Sequence, residues 1–150
     1  HANFGKYWQT TRNEEPVALN FSLPESDLEE RIEHLRSLNP EKGVYGGSGW
    51  ANYAATYFND AYRFAKGMQH ALKPGATALI VIGNSMLQGV NIPTDEYLSE
   101  IAASVGLEAV AIHIPRDERV GSSIIQSDVR VAAAKEGRKL YEAVVELRKP

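Results

Sequence analysis

Apolar residues recur at helical spacing over two stretches of the first half of the chain and gather into short runs in the second half. Leu28, Ile32, Leu35 and Leu38 predict a helix over 22–38, with Ser22 or Ser26 at its start and acids in its first turn. Its other side, with Glu29, Glu30, Arg31, Glu33 and Arg36, is a face turned to water, and His34 lies among those charges rather than in a ligand set. A longer helix is predicted over 50–72, where Trp50, Tyr53, Tyr57, Phe58, Ala61 and Phe64 belong to one wide stripe at helical period. Such a stripe is a core face, expected to pack across the sheet that follows. Residues 1–21 are aromatic and polar without a period, a loop or broken helix in which Phe4, Tyr7, Trp8 and Phe21 read as packing residues. The segment 39–49, with one proline and four glycines, reads as a loop. Its Gly46-Gly47-Ser48-Gly49 run follows no strand and lacks the lysine of a phosphate loop, so it reads as a flexible connector.

Pro74-Gly75 stops the long helix, since proline lacks the amide and glycine permits the left-handed turn. The unbroken apolar run Ala78 to Ile82 then predicts a strand buried on both faces, and therefore a central one. Gly83-Asn84-Ser85 follows at its carboxyl end, where open α/β sheets place their ligands. The same three residues are also ordinary turn chemistry. A loop is expected up to Pro93, after which Thr94 caps a helix with Asp95 and Glu96 in its first turn. Tyr97, Leu98, Ile101, Ala102 and Val105 are its buried stripe and Gly106 its end. Leu107 to Ile114 is the next strand, which makes the strand–helix–strand segment a parallel unit with a right-handed crossover. Residues 116–139 are polar, and Leu140 to Leu147 is a last strand, able to return antiparallel beside its predecessor.

Composition bounds the function without naming it. At 150 residues the chain is one domain, 1–150, and 43% hydrophobic with 23% charged residues is a globular balance. No apolar run is long enough to span a bilayer and no signal peptide is visible, so the expected location is cytoplasmic. The absence of cysteine excludes a disulfide framework and thiolate metal sites, and no metal site is expected. A net charge of −3 gives no general attraction to nucleic acid, so any such contact has to be local. No G-x-S-x-G elbow is present, and His1, His34, His70 and His113 have no clear nucleophile partner, which sets a hydrolase aside. The chain opens at His1 rather than Met, as a fragment, a processed product or a tag remnant would.

Ile82-Gly83-Asn84-Ser85 with Gly89, then Ile92-Pro93-Thr94 before a helix that ends in Gly106-Leu107, resembles the amino-methylating DNA methyltransferases. Those carry a V-G-[ND]-S…G…I-x-T run in this place. Over residues 50–148 the order of elements resembles the second half of the class I S-adenosylmethionine-dependent methyltransferase fold. The resemblance implies an α/β, partial Rossmann-like fold of helix, strand, helix, strand and strand, with the last strand antiparallel. It also implies methyl transfer to cytosine N4 or adenine N6 in DNA. No covalent intermediate is needed for that reaction, in agreement with a chain without cysteine.

By position, His1 falls at or just after the aromatic of the family's [DNS]-P-P-[YFW] loop, whose ring stacks on a flipped base. The prolines of that loop are not in this sequence. The resemblance thus implies roles for His1 and Asn84 at the target amino group. Asn3, Phe4 and Ser85 would bind substrate beside them, and Arg116 and Arg119 would hold backbone phosphates. For the two arginines a solvated loop is the alternative. The strand end is expected to be polar and exposed to substrate. The glycine-rich turn and the acid that hold S-adenosylmethionine belong to the family's first half, and nothing in residues 1–76 supplies them. The chain is therefore expected to be the substrate-side half, its free sheet edge pairing with a missing N-terminal half, a second subunit or another copy. A tRNA guanine-N2 methyltransferase would look similar from this half, and a non-catalytic partner-binding α/β module is the alternative from another class.

Overall fold

The computed structural model describes residues 5–116 and 140–150. A short helix, α1 (Trp8–Thr11), precedes α2 (Leu28–Arg36), a 3-10 segment over Pro40–Tyr45, and the long helix α3 (Gly47–Ala71). Strand β1 (Thr77–Gly83) leads into a hairpin of β2 (Ser85–Leu87) and β3 (Val90–Ile92), then α4 (Thr94–Ser104), β4 (Glu108–Arg116) and β5 (Glu142–Arg148). The fold is mixed α/β. Its buried apolar residues form one cluster drawn from α2, α3, α4 and the sheet, from Leu28 to Leu147.

The sheet order is β1-β5-β4, and β5 is antiparallel to both neighbours. The antiparallel return of the last strand is as expected. Its position is not. β1 and β4 run parallel to each other, but β5 lies between them, so the strand–helix–strand segment is a crossover over an intervening strand rather than an adjacent parallel pair. The central strand is therefore β5, whose Ala143, Val145 and Leu147 are each 0% exposed.

β1 is an edge strand, and the expectation that it is buried on both faces is corrected. Its burial alternates along its length, and Leu79 and Val81 are 64% and 68% exposed. Among the described residues the helices cover one side of the sheet, with α4 packed on all three strands. Ile80 and Ile82 face that side and join the core, while Leu79 and Val81 face away from it. A run without polar residues cannot by itself tell a half-covered strand from a fully covered one. Among the described residues the outer edge of β1 has no strand partner.

α3 packs against α2, the 3-10 segment and α4, and it is α4 that covers the sheet, not α3. Alanines at 51, 54, 55, 61 and 65, all buried, keep the face of α3 flat enough for close helix contact. The Gly46–Gly49 run is no flexible connector, because α3 begins within it. A Cβ on Gly47 would fall 1.8 Å from the Leu35 carbonyl oxygen, and one on Gly49 would fall 2.1 Å from that of Val44. Gly47 N donates to the Leu38 carbonyl at 2.9 Å, so the first turn of α3 sits directly on the carbonyls that end α2.

The expected loop before Pro93 is a tight hairpin. Gln88 and Gly89 both have positive φ, 51° and 78°, which makes the two-residue connection a type I′ turn matched to the twist of its strands. The helix expected over 22–38 is shorter, with its start at Leu28, whose amide donates to the Ser26 hydroxyl at 3.2 Å. α4 runs as expected, but Thr94 lies inside its first turn and does not cap it. No helix among the described residues is long and apolar enough to cross a membrane.

Candidate functional site

The carboxyl end of β1 is fastened to three other elements by side-chain hydrogen bonds. The Asn84 side-chain amide donates to the Asn91 side-chain carbonyl at 2.7 Å, and its own carbonyl accepts the Tyr141 backbone amide at 2.9 Å. The Thr94 hydroxyl donates to the Gly83 carbonyl, and the Tyr141 hydroxyl donates to Asp95 at 2.7 Å. Asn84 is 4% exposed, Thr94 5% and Asp95 2%. Buried polar groups of this kind are tolerated because they are paired. Burial and the hydrogen bond to Asp95 together raise the Tyr141 phenol well above its ordinary range. Asn84 is thus a buried tie between β1, β3 and β5, and the expectation of a strand end exposed to substrate at this residue is corrected.

Ser85, one residue on, faces the opposite way. It lines a cleft of about 60 Å³ together with Gly83 and Thr94 from the strand end, and Tyr53, Tyr57 and Phe58 from α3. A water occupies about 30 Å³ and a complete small-molecule site roughly 300–1,000 Å³, so the cleft admits one small group. Burial, with Tyr53 beside it, pushes the Tyr57 phenol up to about 12. Among the described residues no charged side chain lines the cleft.

The register places a further expected residue at this edge. Gly83 and Arg116 both pair with Glu142, so β4 ends level with β1 on either side of the start of β5. The side chain of Arg116, and Arg119, His1, Asn3 and Phe4 altogether, lie outside the described residues. Ser85 and the backbone of Arg116 are thus brought to one edge, and Asn84 to its interior.

Sequence reasoning missed Tyr53 and Tyr57, which it assigned to the core stripe. They stand one turn apart on α3, half-buried where a pure core stripe would be sealed. It missed Asn52 as well, which is 2% exposed inside that stripe. Its amide donates to the Thr11 and Glu14 carbonyls at 3.3 and 2.9 Å, and its carbonyl accepts Val17 N at 3.0 Å and Arg36 at 2.8 Å. An asparagine in an apolar helix face was the available signal, since a buried amide needs partners from elsewhere.

Comparison with protein-family models, curated proteins and solved structures finds no match.

Nor do the described residues fit S-adenosylmethionine. Its sulfonium-bearing nucleoside needs a glycine turn open to solvent and an acid at the ribose, as the resemblance implies. The Gly46–Gly49 run is filled instead by the chain's own carbonyls, those of Asn39, Leu35 and Val44. No acid lines the strand-end cleft. Among the described residues no group of three or more His, Asp or Glu is placed to hold a metal ion.

Proposed function

We propose that this chain is the substrate-side half of an S-adenosylmethionine-dependent DNA methyltransferase that modifies an exocyclic amino group of a base. The observation that carries the reading is the strand end. β1 brings Gly83 and Ser85 to a small cleft without charged side chains at the carboxyl edge of the sheet, the edge at which open α/β sheets receive ligands. Asn84 fixes the strand end from inside. In this reading Ser85 bonds the amine, and Arg116, whose backbone is level with Gly83 across β5, contacts a phosphate.

The same reading accounts for what the described residues do not cover. The outer edge of β1 and the exposed side chains of Leu79 and Val81 form a surface suited to further strands and a covering layer. We assign that position to the half, or second subunit, that holds the cofactor. The described residues do not form the cofactor's nest.

The test is transfer of radiolabelled methyl from S-adenosylmethionine to DNA by the complete enzyme, with Ser85→Ala beside wild type. A fall in turnover of roughly tenfold, the worth of one hydrogen bond, is expected. Unchanged turnover removes Ser85 from the site. Tight binding of S-adenosylmethionine by the 150-residue chain alone, read by titration calorimetry, would sink the half-site assignment.

A further inference from the structure

A second and larger cleft, about 600 Å³, opens beside the first between the N-terminal segment and α3. It is lined by Lys6, Tyr7, Trp8 and Gln9 on one side and Trp50 and Tyr53 on the other. Its volume is in the range of small-ligand sites, roughly 300–1,000 Å³. Among the described residues four aromatic rings and one lysine line it, and no acid does.

The walls are held in place before any ligand arrives. Trp8 stacks on Trp50 with centroids 5.2 Å apart and planes at 17°, and Trp50 meets Tyr53 edge-on at 5.5 Å. The Arg12 guanidinium lies 4.7 Å from the Trp8 ring centre. The N-terminal segment is anchored on both sides of the cleft. Gly5 N donates to Asp60 at 2.6 Å, and Asn52 holds the Thr11 and Glu14 carbonyls from within the core. Against this fixed frame Tyr7 is 80% exposed and meets no other ring among the described residues. An anchored backbone that holds a phenol ring in water keeps a flat apolar surface ready for a flat ligand.

Charge selects among flat ligands. Lys6 at the rim and Arg12 behind Trp8 disfavour a cation, so this is not a cage for an ammonium group. A base attached to phosphate fits both features: aromatic rings stack on any base, and the lysine meets the adjoining phosphate. Tyr53 lines both clefts, so a nucleotide bound here would be the neighbour of one at the strand end. We propose that this cleft is a stacking site for an unpaired nucleobase of single-stranded or locally opened nucleic acid. The proposal extends the nucleic-acid part of the reading above and does not depend on its methyl-transfer part.

The chain has two tryptophans, and both line this cleft, so emission excited selectively from tryptophan reports on the site. A single-stranded oligodeoxyadenylate titrated into the full chain is expected to quench tryptophan emission to a plateau. Tyr7→Ala, whose ring is exposed and whose circular dichroism is expected to match wild type, should weaken binding roughly five- to 150-fold, the loss of one stacked base. Lys6→Ala should lower the salt dependence by about 0.7 in the log–log slope, one single-strand phosphate. The proposal is overturned by an absence of quenching or by affinity untouched in Tyr7→Ala. It is also overturned by equal or tighter quenching with a neutral proline-rich peptide, or with S-adenosylmethionine in place of the oligonucleotide. A complete enzyme that methylates DNA while the oligonucleotide leaves this emission unchanged would end the stacking proposal and leave the methyltransferase reading standing.

Discussion

The side-chain carbonyl of Asn84 accepts the backbone amide of Tyr141 at 2.9 Å and so ties the end of β1 to the start of β5. The bond links residues on either side of β2, β3, α4 and β4, and it adds a buried side-chain tie to the backbone ladder that pairs β1 with β5. Asn84→Ala leaves the Tyr141 amide and the Asn91 side chain without these partners, each at about 1–3 kcal/mol. The substitution should cost roughly 2–4 kcal/mol in urea unfolding. Stability within about 0.5 kcal/mol of wild type, the range of an ordinary surface change, would refute the tie.

Neighbouring residues of β1 should answer differently to truncation. Ile80 faces the core, and Ile80→Ala should cost about 2 kcal/mol, the low end for such a change because the side chain is half-buried. Leu79 is 64% exposed, and Leu79→Ser should change the stability of the 150-residue chain by less than about 0.5 kcal/mol. In a complete enzyme whose second half covers this face, Leu79→Ser should become the costly one of the pair. Chemical denaturation of both variants in both contexts decides it, and equal costs in the isolated chain would mean that both faces are already covered.

Asn52 governs the N-terminal segment from inside α3. Asn52→Ala removes the acceptor of Val17 N and Arg36 and the donor to Thr11 and Glu14. A loss of roughly 2–4 kcal/mol is expected, since several buried groups lose partners together. The diagnostic sign is optical: freed from its anchor, the segment carrying Trp8 should leave Trp50, and tryptophan emission should move to longer wavelength. Destabilisation without that shift would mean that the Trp8–Trp50 stack is held by other contacts.

Much of the fold was legible because local chemistry and global packing agree. The stripes Leu28, Ile32, Leu35 and Tyr97, Leu98, Ile101 are buried as their spacing requires, and Gly106 ends α4 at φ 96°. What stayed hidden depends on long-range pairing. The apolar run from Ala78 to Ile82 does not encode how many of its faces are covered. The rank of β5 is set by strand order, which no local pattern carries. The Gly46–Gly49 run reads as a hinge until the carbonyls of Leu35 and Val44 are seen where its Cβ atoms would stand. At the end of β1, Gly83-Asn84-Ser85 reads equally as a ligand edge and as a turn, and small polar residues do not announce which of them turns inward.

Two acids on the α2–α4 contact should titrate with opposite consequences. The Tyr97 hydroxyl donates to Asp27 at 2.6 Å, and Arg31 lies 2.7 Å from its other oxygen. That hydrogen bond first, and Arg31 second, hold the Asp27 carboxyl below its ordinary 3.8. Its contribution to stability is therefore complete above that value and lost as pH falls through the lower folded value. Glu96 is the reverse: burial first, then the charges of Asp95 and Glu100, raise its carboxyl above 4.5. The folded chain thus disfavours the ionised form, and Glu96 costs stability at neutral pH, a cost relieved as pH falls through the raised value towards 4.5. Glu96→Gln should melt higher than wild type at neutral pH and lose that advantage by about pH 4.5. Asp27→Asn should melt lower at neutral pH, with the gap closing only in stronger acid. Melting temperatures of the three proteins across that range check both signs, and a Glu96→Gln variant no more stable than wild type at neutral pH would contradict the raised Glu96 carboxyl.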